Sequence, residues 1–324
     1  MSLIVEATWE NLERAAKALK SGFLVGLPTE TVYGLAADAQ NESAVRRIYK
    51  VKGRPSNHPI IVHLGSIEYL EKWALHIPEY AWKLALEFWP GPMTLILKRT
   101  KIAKNYVTAN QDSVGIRIPN HAIALDILNK FHKYGGLGIA APSANRFTKI
   151  SPTTAQDVEY DLGDELSISK DLIIDGGQSQ VGIESTIIDC THSNPIILRP
   201  GILTKIDFLK KNIEMEIENK SISIQHSGKQ KSHYQPNSKV IVNSFPKPGD
   251  GLIAMSSIAT PAGVIRLLSP DTLAEFARDY YRALRKGDQL GLNYINVQIP
   301  KGNGIQIALE DRILKSAGPK QDRS

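Results

Sequence analysis

The feature that most constrains this chain is an alternation, repeated over its first two-thirds, of short apolar runs with segments spaced apolar every three or four residues. Thr8 can cap a helix whose inward face is Leu12, Ala15, Ala16 and Leu19, with Gly22 as its stop. The apolar run 23–27 follows and is broken by Pro28. Asn41 or Ser43 opens a second helix carrying Val45, Ile48 and Tyr49. Further strands are predicted at 60–64, 93–97, 114–118, 137–140, 172–174, 186–188 and 196–198, with helices at 81–88, 122–131 and 154–160. Many strands with fewer helices predict an α/β domain built on one large twisted mixed sheet.

The pattern changes near Lys210-Lys211, which divides the chain into a domain over 1–210, a linker over 211–238 and a second domain over 239–324. The linker is polar, and its most loop-like stretch is 227–232. Beyond it, strands are predicted at 239–242, 252–255, 264–267 and 294–298. One helix carries Leu273, Phe276, Ala277, Tyr280 and Leu284 on a single face, and another covers 305–314. This predicts a small three-layer α/β domain.

Composition removes several classes. Hydrophobic residues make up 42% and charged residues 22% of the 324, which is ordinary for a folded protein. No apolar run has the length of a membrane span. Residues 1–5 read as a strand rather than a signal peptide. The single cysteine, Cys190, excludes an internal disulfide and thiolate-rich zinc sites and fits a reducing, cytoplasmic setting. Eight histidines show no metal-site spacing, so no protein-held metal is expected. The net charge of +6 and pI of about 9.1 favour anionic partners, phosphate or nucleic acid, without choosing between them.

Four segments are dense in turn-formers and polar groups. Residues 28–35, PTETVYGL, put hydroxyls and a carboxylate at a strand end, where they can line a pocket or form a strand-to-helix turn. In 50–59, Lys52 and Arg54 lie at a helix end beside Gly53 and Pro55. Two cations there suit a phosphate, and they equally complement the helix dipole. The turn 141–145 can present Ser143 and Asn145 on one side, or spend both on local backbone, and Ser151 reads as the N-cap of the next helix. The fourth segment runs through Asp175-Gly176-Gly177, GIESTIID and LRPG. Its glycines allow a ligand close to the backbone, and Arg199 is a candidate phosphate ligand. The glycine spacing fits neither a P-loop nor a dinucleotide fingerprint, and no G-x-S-x-G elbow is present.

Taken in order, PTETVYGL, KGRP with IVH, WPGPMTLIL, VGIRIP, APSAN with SPT, and GIESTIID with LRPG resemble the L-threonylcarbamoyladenylate synthase family. HYQP in the linker and LEDRILKSA near the end extend the resemblance to the two-domain form. It implies that L-threonine, bicarbonate and ATP yield threonylcarbamoyl-AMP and pyrophosphate. A downstream tRNA threonylcarbamoyl transferase would then carry the group to adenosine 37 of tRNA. By position it implies that Thr31, His63, Arg117, Ala141 and Ser185 hold threonine. Lys52, Arg54, His58, Ser113, Ser143, Asn145, Ser151 and Arg199 would hold ATP, with Tyr234 closing over it and Mg²⁺ arriving on the nucleotide. Lys52 and Arg54 would be catalytic, through charge and alignment rather than a covalent intermediate.

The sequence departs from the family pattern in three places: His58 stands where asparagine is common, 146–150 replaces a Ser-Gly-containing loop, and 227–229 replaces Pro-Gly-Met. The alternative reading is a double-stranded-RNA-binding or ribosome-assembly module, which the basic pI allows; direct tRNA contact is left open.

Overall fold

Thr8 caps the first helix, Trp9–Lys20, in the computed structural model: its hydroxyl accepts from the Asn11 amide at 3.3 Å, and Gly22 takes φ +83° after the helix. Asn41 caps Glu42–Lys52 in the same way, accepting from Ala44, and Gly53 ends it in the left-handed conformation. The structure describes residues 2–217, 224–226, 228, 230 and 232–319. Of the predicted loop 227–232, Ser227, Lys229 and Lys231 lie outside the described residues.

Among those residues one mixed sheet has eleven strands: β1 (Ile4–Glu6), β2 (Val25–Leu27), β3 (Gly34–Asp38), β4 (Val62–His63), β5 (Met93–Lys98), β6 (Ser113–Arg117), β7 (Ile139–Ala140), β8 (Leu172–Asp175), β9 (Thr186–Asp189), β10 (Ile196–Arg199) and β11 (Glu216–Ile217). Their spatial order is β1-β8-β2-β3-β7-β4-β6-β5-β9-β10-β11. β2 pairs antiparallel with β3, and β4 runs parallel to β6 with Val62 opposite Ile116 and His63 opposite Arg117. That register sets the His63 and Arg117 side chains on one face at one level of the sheet.

Two apolar cores flank the sheet. One gathers Trp73, Leu95, Ile116 and Phe208; the other joins Leu12, Leu19, Ile127 and Phe131 to Val25 and Leu27. Each such side chain, once buried, contributes about 1.5–3 kcal/mol against the chain entropy.

The second sheet is all parallel: β12 (Lys239–Val242), β13 (Gly251–Ile253), β14 (Ile265–Leu268) and β15 (Tyr294–Val297), in the order β12-β15-β13-β14. The helices Leu273–Gln289 and Ile305–Ala317 pack on it and touch each other. Their core extends past this sheet to Val32, Ile150, Ile183 and Tyr234, so the second unit shares apolar contacts with the loops of the first.

Two local expectations change. PTETVYGL is not a strand-to-helix turn: it joins antiparallel β2 and β3, and Gly34–Asp38 is a fully buried strand that its residue types, without a β-branched side chain, do not announce. Ser151 is not the N-cap of the next helix. Thr154 is, in a capping box with Asp157.

Candidate active site

Strand ends from across the large sheet converge on one cleft. Thr29 and Thr31 come from the β2–β3 turn, His63 from β4, Arg117 from β6, Ala141 and Ser143 from the turn after β7, Ser185 from before β9 and Arg199 from β10. Arg54 enters from beyond the second helix, and Gly228, His233 and Tyr234 of the linker make the remaining wall. With that wall in place the free space is about 50 Å³. Ligand pockets of small molecules run from roughly 300 to 1,000 Å³, so this cleft as it stands is smaller than such a pocket.

The floor is an ordered polar network. Arg117 donates through Nη1 to Thr31 Oγ1 at 2.8 Å, and its Nη2 lies 2.7 Å from Glu30 Oε2. Thr31 and Thr29 share a hydrogen bond between hydroxyls at 2.9 Å, and Thr29 donates to the Val32 carbonyl at 2.6 Å. His63 is held down at about 3 by burial and by the neighbouring Arg117, so it stays neutral at ordinary pH.

Two more guanidinium groups line the cleft. Arg199, 3% exposed, donates to the Ser185 carbonyl through Nε at 3.1 Å and Nη2 at 2.9 Å, and to Ser185 Oγ at 3.2 Å. Ser185 Oγ also meets Thr94 Oγ1 at 2.7 Å. Arg54 donates to the Pro59 carbonyl at 3.0 Å and lies over the Phe147 ring, and burial holds its pKa down at about 10. Two buried guanidiniums lining one cleft suit an anionic ligand.

The remaining expected residues are placed differently. Lys52 does not line the cleft: its ammonium donates to the carbonyls of Ser143, at 2.6 Å, and Asn145, fixing the turn that presents Ser143. Burial, then Arg54, pushes its pKa well below the usual lysine value. Asn145 spends its amide on the Arg146 and Lys149 carbonyls, at 2.7 and 2.8 Å, the local-backbone reading of that turn. Ser151 donates to Glu184 Oε1 at 2.6 Å. His58 contacts Gln230 of the linker and Phe147, outside the cleft wall. Ser113 lines a separate small apolar hollow with Thr94, Gln111, Gln225 and His226.

The loop 146–150 now has a path. Phe147 N–H donates to the Lys52 carbonyl at 2.8 Å, and Gln235 of the linker donates to Thr148 at 2.9 Å, so the loop ties the linker to the second helix. Gly176 and Gly177 do not reach the cleft: the Tyr33 hydroxyl donates to the Gly177 carbonyl and accepts from the Gly176 amide. Cys190 is free and buried, with its thiol pushed well up by burial, an inert core group. Residue-level reading missed Glu184 and His233, and took Thr29 and Glu30 only as the hydroxyls and carboxylate of PTETVYGL. Glu30 and Glu184 stood inside quoted motifs, but only their distant partners mark them out.

The sequence and the fold have relatives. A family model described as "Telomere recombination" matches residues 17–201, and one described as "Threonylcarbamoyl-AMP synthase, C-terminal domain" matches 202–318. Threonylcarbamoyl-AMP synthase of Pyrococcus abyssi is 37% identical over 325 residues, covering 94% of this chain and 93% of that protein. The Bacillus subtilis protein of the same name is 35% identical over 335 residues, covering 95% and 93%. The crystal structure of P. abyssi Sua5 complexed with L-threonine superposes with a TM-score of 0.88 at 35% identity, over 98% of each chain. With both of its parts matched over nearly their full length, the chain belongs to the threonylcarbamoyl-AMP synthase family of enzymes, in its two-domain form.

Proposed function

We propose that this chain joins L-threonine, bicarbonate and ATP into threonylcarbamoyl-AMP and pyrophosphate. A downstream transferase would use the adenylate for N6-threonylcarbamoylation of adenosine 37 in tRNA, in the cytoplasm. The observation that carries the reading is the set of three buried guanidiniums, Arg54, Arg117 and Arg199, lining one cleft at the sheet's strand ends.

In this reading the threonine carboxylate joins Arg117, whose guanidinium has more donors than Glu30 and Thr31 use. The Ala141 backbone, neutral His63, Thr31 and Ser185 bound the rest of the amino acid. Bicarbonate and the threonine amine give a carbamate with loss of water. A carbamate oxygen attacks the α-phosphorus of ATP, the bond from that phosphorus to the bridging oxygen breaks, and pyrophosphate leaves with the electron pair. Two anions must meet, so the residues' task is to align them and offset their repulsion. Arg54 and Arg199 face the phosphates, with Ser143 beside them. Lys52 acts from behind by holding the Ser143 turn, and Asn145, Ser151, Ser113 and His58, which do not line the cleft, would meet the nucleotide only where it extends past the cleft.

Mg²⁺ would enter on the triphosphate. Among the described residues no group of three or more His, Cys, Asp or Glu side chains is placed to hold a metal ion, and the carboxylates nearest the cleft, Glu30 and Glu184, are engaged by arginines. The cytoplasmic reading is supported by the lone, free cysteine. No described helix is long and apolar enough to cross a membrane.

The test is incubation with ATP, threonine and bicarbonate, following pyrophosphate and the adenylate by mass spectrometry and omitting each substrate in turn. Formation of the adenylate only with all three present supports the reading. ATP hydrolysis without threonine dependence, or no turnover, opposes it.

A further inference from the structure

The cleft wall holds a carboxylate that the chemistry above does not use. Glu184 lines the cleft beside Ser185, yet its oxygens point to the second domain. Its Oε2 accepts from Arg312 Nε at 2.9 Å and from the Tyr281 hydroxyl at 3.0 Å, while Oε1 accepts from Ser151 at 2.6 Å. Arg312 belongs to the helix Ile305–Ala317 and Tyr281 to Leu273–Gln289. Arg312 is 0% exposed, and its guanidinium also donates to Asp311 at 2.6 Å and lies 5.5 Å from the ring centroid of Tyr234, a linker residue that lines the cleft. Burial alone would push the Glu184 pKa up; Arg312 and Arg199 outweigh burial and hold the carboxyl at about 2, so it is an anion.

An anion there opposes the nucleotide in two ways. It repels a triphosphate directly. It also competes for Arg199, which donates to Ser185, the residue next to Glu184. Arg312 removes both effects from outside the cleft, and the same guanidinium braces the face of Tyr234.

We propose that Arg312 is a positioning residue for the nucleotide: from the second domain it neutralises Glu184 and backs Tyr234, so that Arg199 serves the phosphates rather than Glu184. This rests on the proposed nucleotide site and gives the second domain a duty in the chemistry without touching substrate.

The test is isothermal titration of the full chain with MgATP, and separately with threonine, for wild type, Arg312→Met, Arg312→Lys, Glu184→Gln and the Arg312→Met/Glu184→Gln pair. Leaving a buried charge without its partner is the costly change, and removing both charges is the cheap one. Arg312→Met should weaken MgATP binding roughly ten- to a hundredfold with threonine affinity changed less than about threefold, and Arg312→Lys should fall between it and wild type. Adding Glu184→Gln to Arg312→Met should recover most of the MgATP affinity, and the unequal loss of MgATP over threonine in Arg312→Met is what a purely structural arginine would not give.

Unchanged MgATP affinity in Arg312→Met, equal losses for both ligands, or a double variant as weak as the single one overturns the proposal. If Arg312→Met does not fold, Arg312→Lys and Glu184→Gln decide: Glu184→Gln that loses about tenfold or more in MgATP affinity contradicts it. A wild type that binds MgATP but makes no adenylate sinks the proposed function and leaves this inference standing; a wild type that does not bind MgATP overturns both.

Discussion

Arg117 and Glu30 meet at 2.7 Å in the cleft floor, both buried, and the same guanidinium donates to Thr31 at 2.8 Å. Glu30 therefore sets the orientation of the arginine before any amino acid arrives. A planar fork can hold Glu30, Thr31 and a further carboxylate together, whereas an ammonium offers three donors from one point. Arg117→Lys should raise the KM for threonine about 10- to 150-fold, the equivalent of about 1.5–3 kcal/mol for charge-assisted hydrogen bonds, and leave MgATP affinity within about twofold. Initial rates at varied threonine, with MgATP titration as the control, check it. A threonine KM at the wild-type value would remove Arg117 from the amino-acid site.

Acid should destabilise this protein from near neutrality downward. His63 and His233 both have pKa values held down at about 3, chiefly by burial. Above the ordinary histidine value of about 6.5, neither the native nor the unfolded chain takes up these protons. Between that value and about 3 the unfolded chain binds protons that the native chain excludes, so stability falls as pH falls, by about 1.4 kcal/mol per pH unit for each histidine. Urea midpoints measured at pH 7, 6 and 5 should drop progressively, and His63→Asn should flatten part of the slope. A wild-type midpoint constant over that range contradicts the buried neutral state.

Gly182 is where the two domains touch backbone to backbone. It takes φ +77°, and a Cβ there would fall 2.3 Å from the Arg278 carbonyl oxygen and 2.4 Å from its Cα. Gly182→Ala should cost about 1–3 kcal/mol from backbone strain alone, and more from parting the helix Leu273–Gln289 from the loop that carries Glu184. Thermal unfolding measures the first effect, and faster proteolysis between the domains reports the second. An alanine variant as stable and as resistant as wild type would show that this contact is not tight.

Arg54→Ala should abolish ATP-dependent turnover while any weak affinity for RNA stays nearly the same. Arg54 is 8% exposed inside the cleft, so its charge is available to a small anion entering there rather than to a duplex on the surface. Pyrophosphate release and fluorescence anisotropy with a labelled RNA duplex separate the two. A wild type without turnover, with RNA affinity lost in the variant, would favour the RNA-binding module instead.

Much of the fold was legible where one local signal decides it. Thr8 with Leu12, Ala15, Ala16 and Leu19 marks its helix, and Leu273, Phe276, Ala277, Tyr280 and Leu284 on a single face mark another. Strand β3 was not, because Gly-Leu-Ala-Ala-Asp is made strand by its neighbours in the sheet. The site divides in the same way. Arg54, Arg117, Ser143, Ser185 and Arg199 sit in motifs that name them, and all line the cleft. Glu184 finds Arg312 128 residues away, and Lys52 turns from the cleft to carbonyls 91 and 93 residues on. No local pattern carries such partnerships, since they exist only once distant segments of the chain pack together.

The most direct measurement of the central claim is a crystal structure of the protein with threonine and a non-hydrolysable ATP analogue. The account predicts the threonine carboxylate on Arg117, the triphosphate between Arg54 and Arg199, and the threonine nitrogen on the α-phosphate side of the cleft, with Tyr234 displaced or repacked to admit them. Nucleotide bound away from this cleft, or a cleft that stays filled by Tyr234 and His233 at saturating ligand, would contradict it.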